Sequence, residues 1–179
     1  DNNIGLRGLC SVLRACRHRT LSSPLALNMS DNNIFPTYQQ LPPLQQPQQQ
    51  QQADVIRPVT SLLSQCTGIV FLALSGTGLD DDTGAEFITS LRSNQSIKWL
   101  TLGRNALSDR SAGALCVAME TNTTLKTISL YKNNVTDDGV KQLISSPGVQ
   151  HMHAVALGGN PCQTEQFRMP LFDGWVTRS

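Results

Sequence analysis

One spacing dominates this sequence. The pattern Ile-x-x-Leu-x-Leu at Ile69, Leu72 and Leu74 returns as Ile97, Leu100 and Leu102, then as Leu125, Ile128 and Leu130, each time 28 residues later. Ten residues after the first position of each unit stand Leu79, Leu107 and Val135, and two before those stand Thr77, Asn105 and Asn133. A truncated fourth copy carries Met152, Val155, Leu157 and Asn160. A period of this length marks one supersecondary unit repeated. A unit so short cannot bury its own apolar face, so neighbours must stack and share one core.

Each unit reads as a strand followed by a helix. Alternate apolar residues such as Leu72 and Leu74 turn inward from a short strand, and the asparagine at its end can bond backbone groups where the chain turns. In the second half, Phe87 and Leu91 stand four apart, Leu115 and Met119 match them, and Leu143 holds the first of those places in the third unit, which puts them on one helical face. Asp81, Asp109 and Asp137 run ahead of these helices and are expected to cap first-turn amides. A calcium or catalytic carboxylate site on that column is the weaker reading, because stacking alone generates such columns.

These motifs resemble the leucine-rich-repeat family, in its ribonuclease-inhibitor-like variety with a helix in every repeat; the resemblance covers about 110 of the 179 residues. It implies an α/β fold: a short right-handed solenoid of βα units, with parallel strands on a concave face and helices on the convex face. The expected repeat domain spans 55–162. Val59, Leu62, Leu63 and Cys66 after Pro58 form its N-terminal cap helix, with Pro58 in the first turn. Residues 163–179, with Phe167, Met169, Leu171, Phe172, Trp175 and Val176, form a C-terminal cap or a tail that docks on a partner.

Residues 1–54 are expected to be a disordered leader and linker. From 2 to 30 there are four arginines, Arg7, Arg14, Arg17 and Arg19, and no acidic residue, which reads as an amphipathic mitochondrial targeting helix. A start of translation at Met29 is the competing reading and would leave the protein cytoplasmic; an unrecognised structural role for these residues is the third. From Pro36 to Gln52 glutamine and proline prevail, a composition too poor in apolar surface to offset its ordering entropy. No apolar run is long enough to cross a bilayer.

Within the repeat, side chains between the apolar positions face outward and form rows across neighbouring strands. Phe71, Lys98, Trp99, Arg104, Lys126, Tyr131 and Lys132 gather there around small residues, Ala73, Thr101, Ser129 and Ala156. Aromatics and arginine are the common anchors of protein interfaces. The expectation is a protein–protein interaction module, a scaffold or accessory subunit of a larger assembly, whose concave face takes an acidic or phosphorylated protein segment. A solvated polar face with two incidental aromatics is the bland alternative. Four cations without an RNA-binding motif make nucleic acid an unlikely partner.

Catalysis is not expected, nor any metal or cofactor. The chain holds 14 basic and 13 acidic residues, a formal charge of +1, so only local charge carries information. Cys10, Cys16, Cys66, Cys116 and Cys162 are an odd set without a C-x-x-C pair, as befits free thiols in a reducing, intracellular setting. His151 and His153 fall on one side of the fourth strand but lack a third ligand, and no phosphate loop or nucleophile motif appears. Some repeat proteins of the resembled type activate small GTPases, so a regulatory adaptor or GTPase-activating factor is the alternative function. Asn94, Asn122 and Asn134 begin glycosylation tripeptides, and the repeat column shared by Asn94 and Asn122 accounts for that pair without sugars.

Overall fold

In the computed structural model the described residues are 4–17, 24–35 and 49–163, with side chains from residue 56 onward in the last stretch. Most of the Gln/Pro-rich segment, and the apolar tail read as a cap, lie outside them. Strand and helix alternate: α1 (Leu6–Arg17), β1 (Leu25–Asn28), α2 (Gln49–Gln65), β2 (Ile69–Ala73), α3 (Asp81–Ser90), β3 (Trp99–Thr101), α4 (Asp109–Met119), β4 (Thr127–Ser129), α5 (Asp137–Ser145) and β5 (Ala154–Ala156). The strands form one parallel sheet in chain order, and the helices pack against one another in the same order. This arrangement agrees with the repeat read from the sequence.

The two layers enclose a single core. Leu72, Leu74, Leu100, Leu102, Ile128 and Leu130 point into it from the strands, and Phe87, Leu91, Leu115 and Leu143 meet them from the helical side, all buried. Each such side chain contributes about 1.5–3 kcal/mol on leaving water. The strands β3, β4 and β5 have only three residues each, but backbone bonds continue the ladder past both their ends, from the Lys98 and Lys126 amides to those of Arg104 and Lys132. The asparagine column fixes the turn that follows. Asn105 Oδ1 accepts from the amides of Thr77, Gly78 and Leu79 at 3.0–3.2 Å, while its Nδ2 donates to the Leu74 and Leu102 carbonyls at 3.0 Å. Asn133 and Asn160 repeat the arrangement one and two units on.

The aspartate column caps, but across units and one residue inside its own helix. Asp80 is the residue that caps α3, accepting from the Thr83 amide at 2.8 Å, and Thr136 does so for α5. Asp81 instead reaches forward: its carboxylate accepts from the Ser108 and Ser111 amides at the start of α4 and from both hydroxyls. Asp109 treats Thr136 likewise, at 2.7 Å from its amide and 2.6 Å from its hydroxyl. A carboxylate thus stitches α3 to α4 and α4 to α5.

The largest departure from expectation lies at the amino end. Residues 4–17 and 24–35, read as unfolded leader, add a helix and then a strand to the same core. Leu27 pairs with Leu72 as Leu72 pairs with Leu100, and Asn32 binds the Met29 carbonyl as the later asparagines bind theirs. Leu9, Leu13 and Ile34 are fully buried and Met29 nearly so. The amphipathic helix predicted from Leu6, Leu9 and Leu13 therefore forms, but its apolar face packs on α2. The first helix of the stack is α1, α2 is an internal repeat helix, and Pro58 lies well inside α2 instead of in its first turn.

The cause of the misreading is an insertion. From Leu27 to Leu72 the offset is 45 residues, 17 longer than the 28 between Leu72 and Leu100. The Gln/Pro-rich stretch 36–52 is 17 residues long. Subtracting it restores the period, so the segment interrupts a repeat and does not precede the first one. Among the described residues no helix is long and apolar enough to cross a membrane.

Candidate functional site

The face of the sheet turned away from the helices carries the residues chosen from the sequence. Backbone pairing aligns Phe71, Trp99, Thr127 and Ala154 in one row across four strands. Phe71 is half-buried, whereas Trp99 and Tyr131 are 45 % and 44 % exposed, large apolar surfaces left in water. Tyr131 lies four residues beyond Thr127, the partner of Trp99. At about 3.3 Å per extended residue the two rings are on the order of 13 Å apart along the strand. Between them the surface is low: Thr101, Ser129 and Gly103.

Tyr131 stands free on both sides. A Cβ built on Gly158 would lie 3.4 Å from its ring, and one on Gly103 would lie 3.5 Å from its Cβ, so neither neighbouring unit offers a side chain to cover it. The Lys132 ammonium is 5.3 Å from the centre of the same ring, within reach of a cation–π contact. The turn after each strand needs a left-handed residue, and Gly76 and Gly159 supply it at φ +64° and +75°. Asp31, Arg104 and Lys132 occupy the same place at φ +59°, +53° and +52°. A side chain there costs on the order of 1 kcal/mol relative to glycine.

Arg104 differs from its predicted role. Its guanidinium binds both carboxylate oxygens of Asp31, at 2.7 and 2.8 Å, and so is already engaged within the molecule. Asp31 was invisible as a site residue because it lies in the stretch read as leader. Lys98 and Lys132 are exposed and Lys126 half-exposed, and none of the three has a carboxylate partner among the described residues. Charge is segregated. Asp80, Asp81, Asp82, Asp109, Asp137 and Asp138 cluster at helix starts and Glu86 and Glu120 belong to the helical layer, which leaves Asp31 as the one described carboxylate on the strand side.

Among the remaining candidates the cysteines and two of the three tripeptide asparagines have structural roles, while Asn134 is exposed. Burial pushes up the Cys66 thiol to about 11, reinforced by Cys16 and opposed by Arg17, and Cys10, Cys116 and Cys162 are raised by burial as well. These thiols are thereby less ionised than free cysteine, the opposite of an activated nucleophile. Asn94 and Asn122 are buried with their amides bonded to the Leu63 and Leu91 carbonyls at 2.7 and 2.6 Å, where no sugar could be attached to the folded chain. Among the described residues no three His, Cys, Asp or Glu side chains gather to hold a metal ion.

No protein-family model matches this chain, and no curated protein does. Solved structures do. One, described as "Leiomodin-1 Actin-Binding Site 2 (ABS2)", superposes with a TM-score of 0.58 at 14 % identity, over 83 % of this chain and 76 % of that one. At that identity the likeness is one of fold.

Proposed function

We propose that the chain is a short leucine-rich-repeat solenoid of the ribonuclease-inhibitor type that works as a protein-binding module and not as an enzyme. The observation that carries the reading is the strand face itself: Trp99 and Tyr131, nearly half exposed, flank a low floor beside lysines that have no carboxylate partner among the described residues. A monomer gains nothing from placing two large rings in water. A partner that covers them gains the burial of both and the anchoring that aromatics give. The described neighbour is named for an actin-binding site, which supports a macromolecular partner for this fold and makes actin the first defined protein to try. A scaffold or accessory subunit is the role that suits so short a stack, because docking on an assembly would cover the exposed face and stabilise the domain by linkage.

The lysines make the test simple. Three of the four in the chain, Lys98, Lys126 and Lys132, are on the strand side, and Lys141 is on α5. Crosslinking in the source cells, and with purified actin, followed by mass-spectrometric mapping, should join the first three to one stable partner and spare Lys141. The double variant Trp99→Ala/Tyr131→Ala should lose those links. Links from Lys141 alone, or links unchanged in the variant, would remove the concave-face reading.

A further inference from the structure

Three residues share a position that the strand ladder brings into line. The Lys98 amide donates to the Val70 carbonyl at 2.9 Å, the Lys126 amide to the Lys98 carbonyl at 2.9 Å, and the His153 amide to the Lys126 carbonyl at 2.7 Å. Lys98, Lys126 and His153 therefore occupy consecutive rungs, each about 4.8 Å from the next. Lys98 and His153 are exposed and Lys126 half-exposed. Exposed Trp99 follows Lys98 directly.

Lys98 and Lys126 set like charges on adjacent rungs, where a ladder is better served by opposite ones. Several other cations of this molecule are paired: Arg110 meets Asp82, Lys141 meets Asp138 and Arg92 approaches Glu120 in the helical layer, and Arg104 meets Asp31 across Gly76. Along the Lys98–Lys126–His153 row no described carboxylate intervenes, and the one on the strand side is held by Arg104. The row spans two rungs, about 10 Å. That is longer than a single oxyanion and comparable to a short run of them.

We infer that this row is the anionic subsite of the binding face and takes an acidic protein segment laid across the strands, its successive oxyanions meeting Lys98, Lys126 and His153 while an apolar residue of the same segment rests on Trp99. This deepens the protein-binding reading above and rests on it. Arg104 takes no part, because Asp31 satisfies it.

The test uses the full chain and four defined probes: a hexaglutamate peptide, a phosphoserine-containing peptide, a hexaglutamine peptide and a short uridine oligonucleotide. In amide NMR spectra the glutamate or the phosphoserine peptide should shift Lys98, Lys126 and His153 saturably, the stronger of the two naming the oxyanion, and hexaglutamine should not. Lys98→Gln/Lys126→Gln should weaken that binding about tenfold, as expected for two exposed charge contacts, with an unchanged melting temperature. Shifts that are the same in the variant, or that centre on Lys132 and Arg104, overturn the subsite. So does tighter binding of the oligonucleotide at the same row. The two readings fail separately: native-partner crosslinks from Lys132 that survive Lys98→Gln/Lys126→Gln sink the subsite and leave the binding face standing. Crosslinks that survive Trp99→Ala/Tyr131→Ala sink the face.

Discussion

The Arg104 guanidinium grips the Asp31 carboxylate from two strands away, at 2.7 and 2.8 Å, passing over Gly76 to do so. Gly76 has no side chain to obstruct the bridge; a Cβ there would meet Asp31 Oδ1. Both partners are about half exposed, so solvent screens the pair and it contributes at most about 1 kcal/mol. Arg104→Ala is therefore expected to shift the urea midpoint only slightly. Asp31→Asn should leave the fold intact and increase affinity for hexaglutamate by freeing a cation, an effect that disappears when Arg104 is also replaced. A loss of several kcal/mol in either single variant would show that the bridge is structural.

Gly78 is a sharper position. Its φ is +83°, and a Cβ there would meet the Phe35 carbonyl oxygen, a backbone atom that cannot turn aside. Gly78→Ala should destabilise by about 2 kcal/mol or more, read by chemical unfolding. Gly158→Ala, whose Cβ would make only an ordinary 3.4 Å contact with Tyr131, is the control and should unfold like the parent.

The asparagine column predicts a larger loss. Asn133 is buried, accepts from the Asn105 and Leu107 amides at 3.2 and 3.1 Å, and donates to the Leu102 and Leu130 carbonyls at 3.0 Å. Asn133→Ala takes this acceptor from the Asn105 and Leu107 amides, while Asn105 and Asn160 still donate to the two carbonyls, at a cost of about 3 kcal/mol. Hydrogen exchange should show the Asn105 and Leu107 amides opening first.

Asp81 supplies a pH dependence. Burial pushes its carboxyl up, but hydrogen bonds from Ser108 and Ser111 outweigh this and leave it below the usual aspartate value of 3.8. With the folded pKa depressed, the stabilisation it gives is complete above the ordinary value and is lost as pH falls through the folded one. Melting curves from pH 5 downward should therefore fall less steeply below the ordinary value in Asp81→Asn than in the parent. Equal slopes would remove Asp81 from the acid transition.

Deleting 36–52 tests the insertion. Joining Phe35 to Ala53 restores the 28-residue offset between Leu27 and Leu72. The shortened chain should fold, melt within a few degrees of the parent and keep its Lys98, Lys126 and Lys132 crosslinks. Failure to fold would mean that the segment belongs to the domain's core and is no insertion.

How far the sequence can be read follows from which residues bear the pattern. Three units were legible because leucine or isoleucine fills nearly every inward place at one offset. The first was not: Met29 stands where a leucine is expected, and 17 extra residues break the offset just beyond Ile34. Four arginines and no acids then made α1 look like a leader, when its leucines are core residues. At the site, the exposure of Trp99 and Tyr131 followed from their place in the repeat. The Arg104 bridge did not, since its partner sat in the unrecognised unit, and His153 joins the basic row only through backbone pairing that a truncated repeat obscures.

Because the sheet runs in chain order, each strand touches only its neighbours, and the molecule is graduated like a ruler. A second copy of 97–124 placed after Thr124 would make no new kind of contact. It would lengthen the sheet by one graduation, about 4.8 Å, and duplicate Lys98 and Trp99 beside the originals. The span of partner this protein can hold is thus set by a count of units, and changing that count is a way to alter reach without redesigning a single interaction.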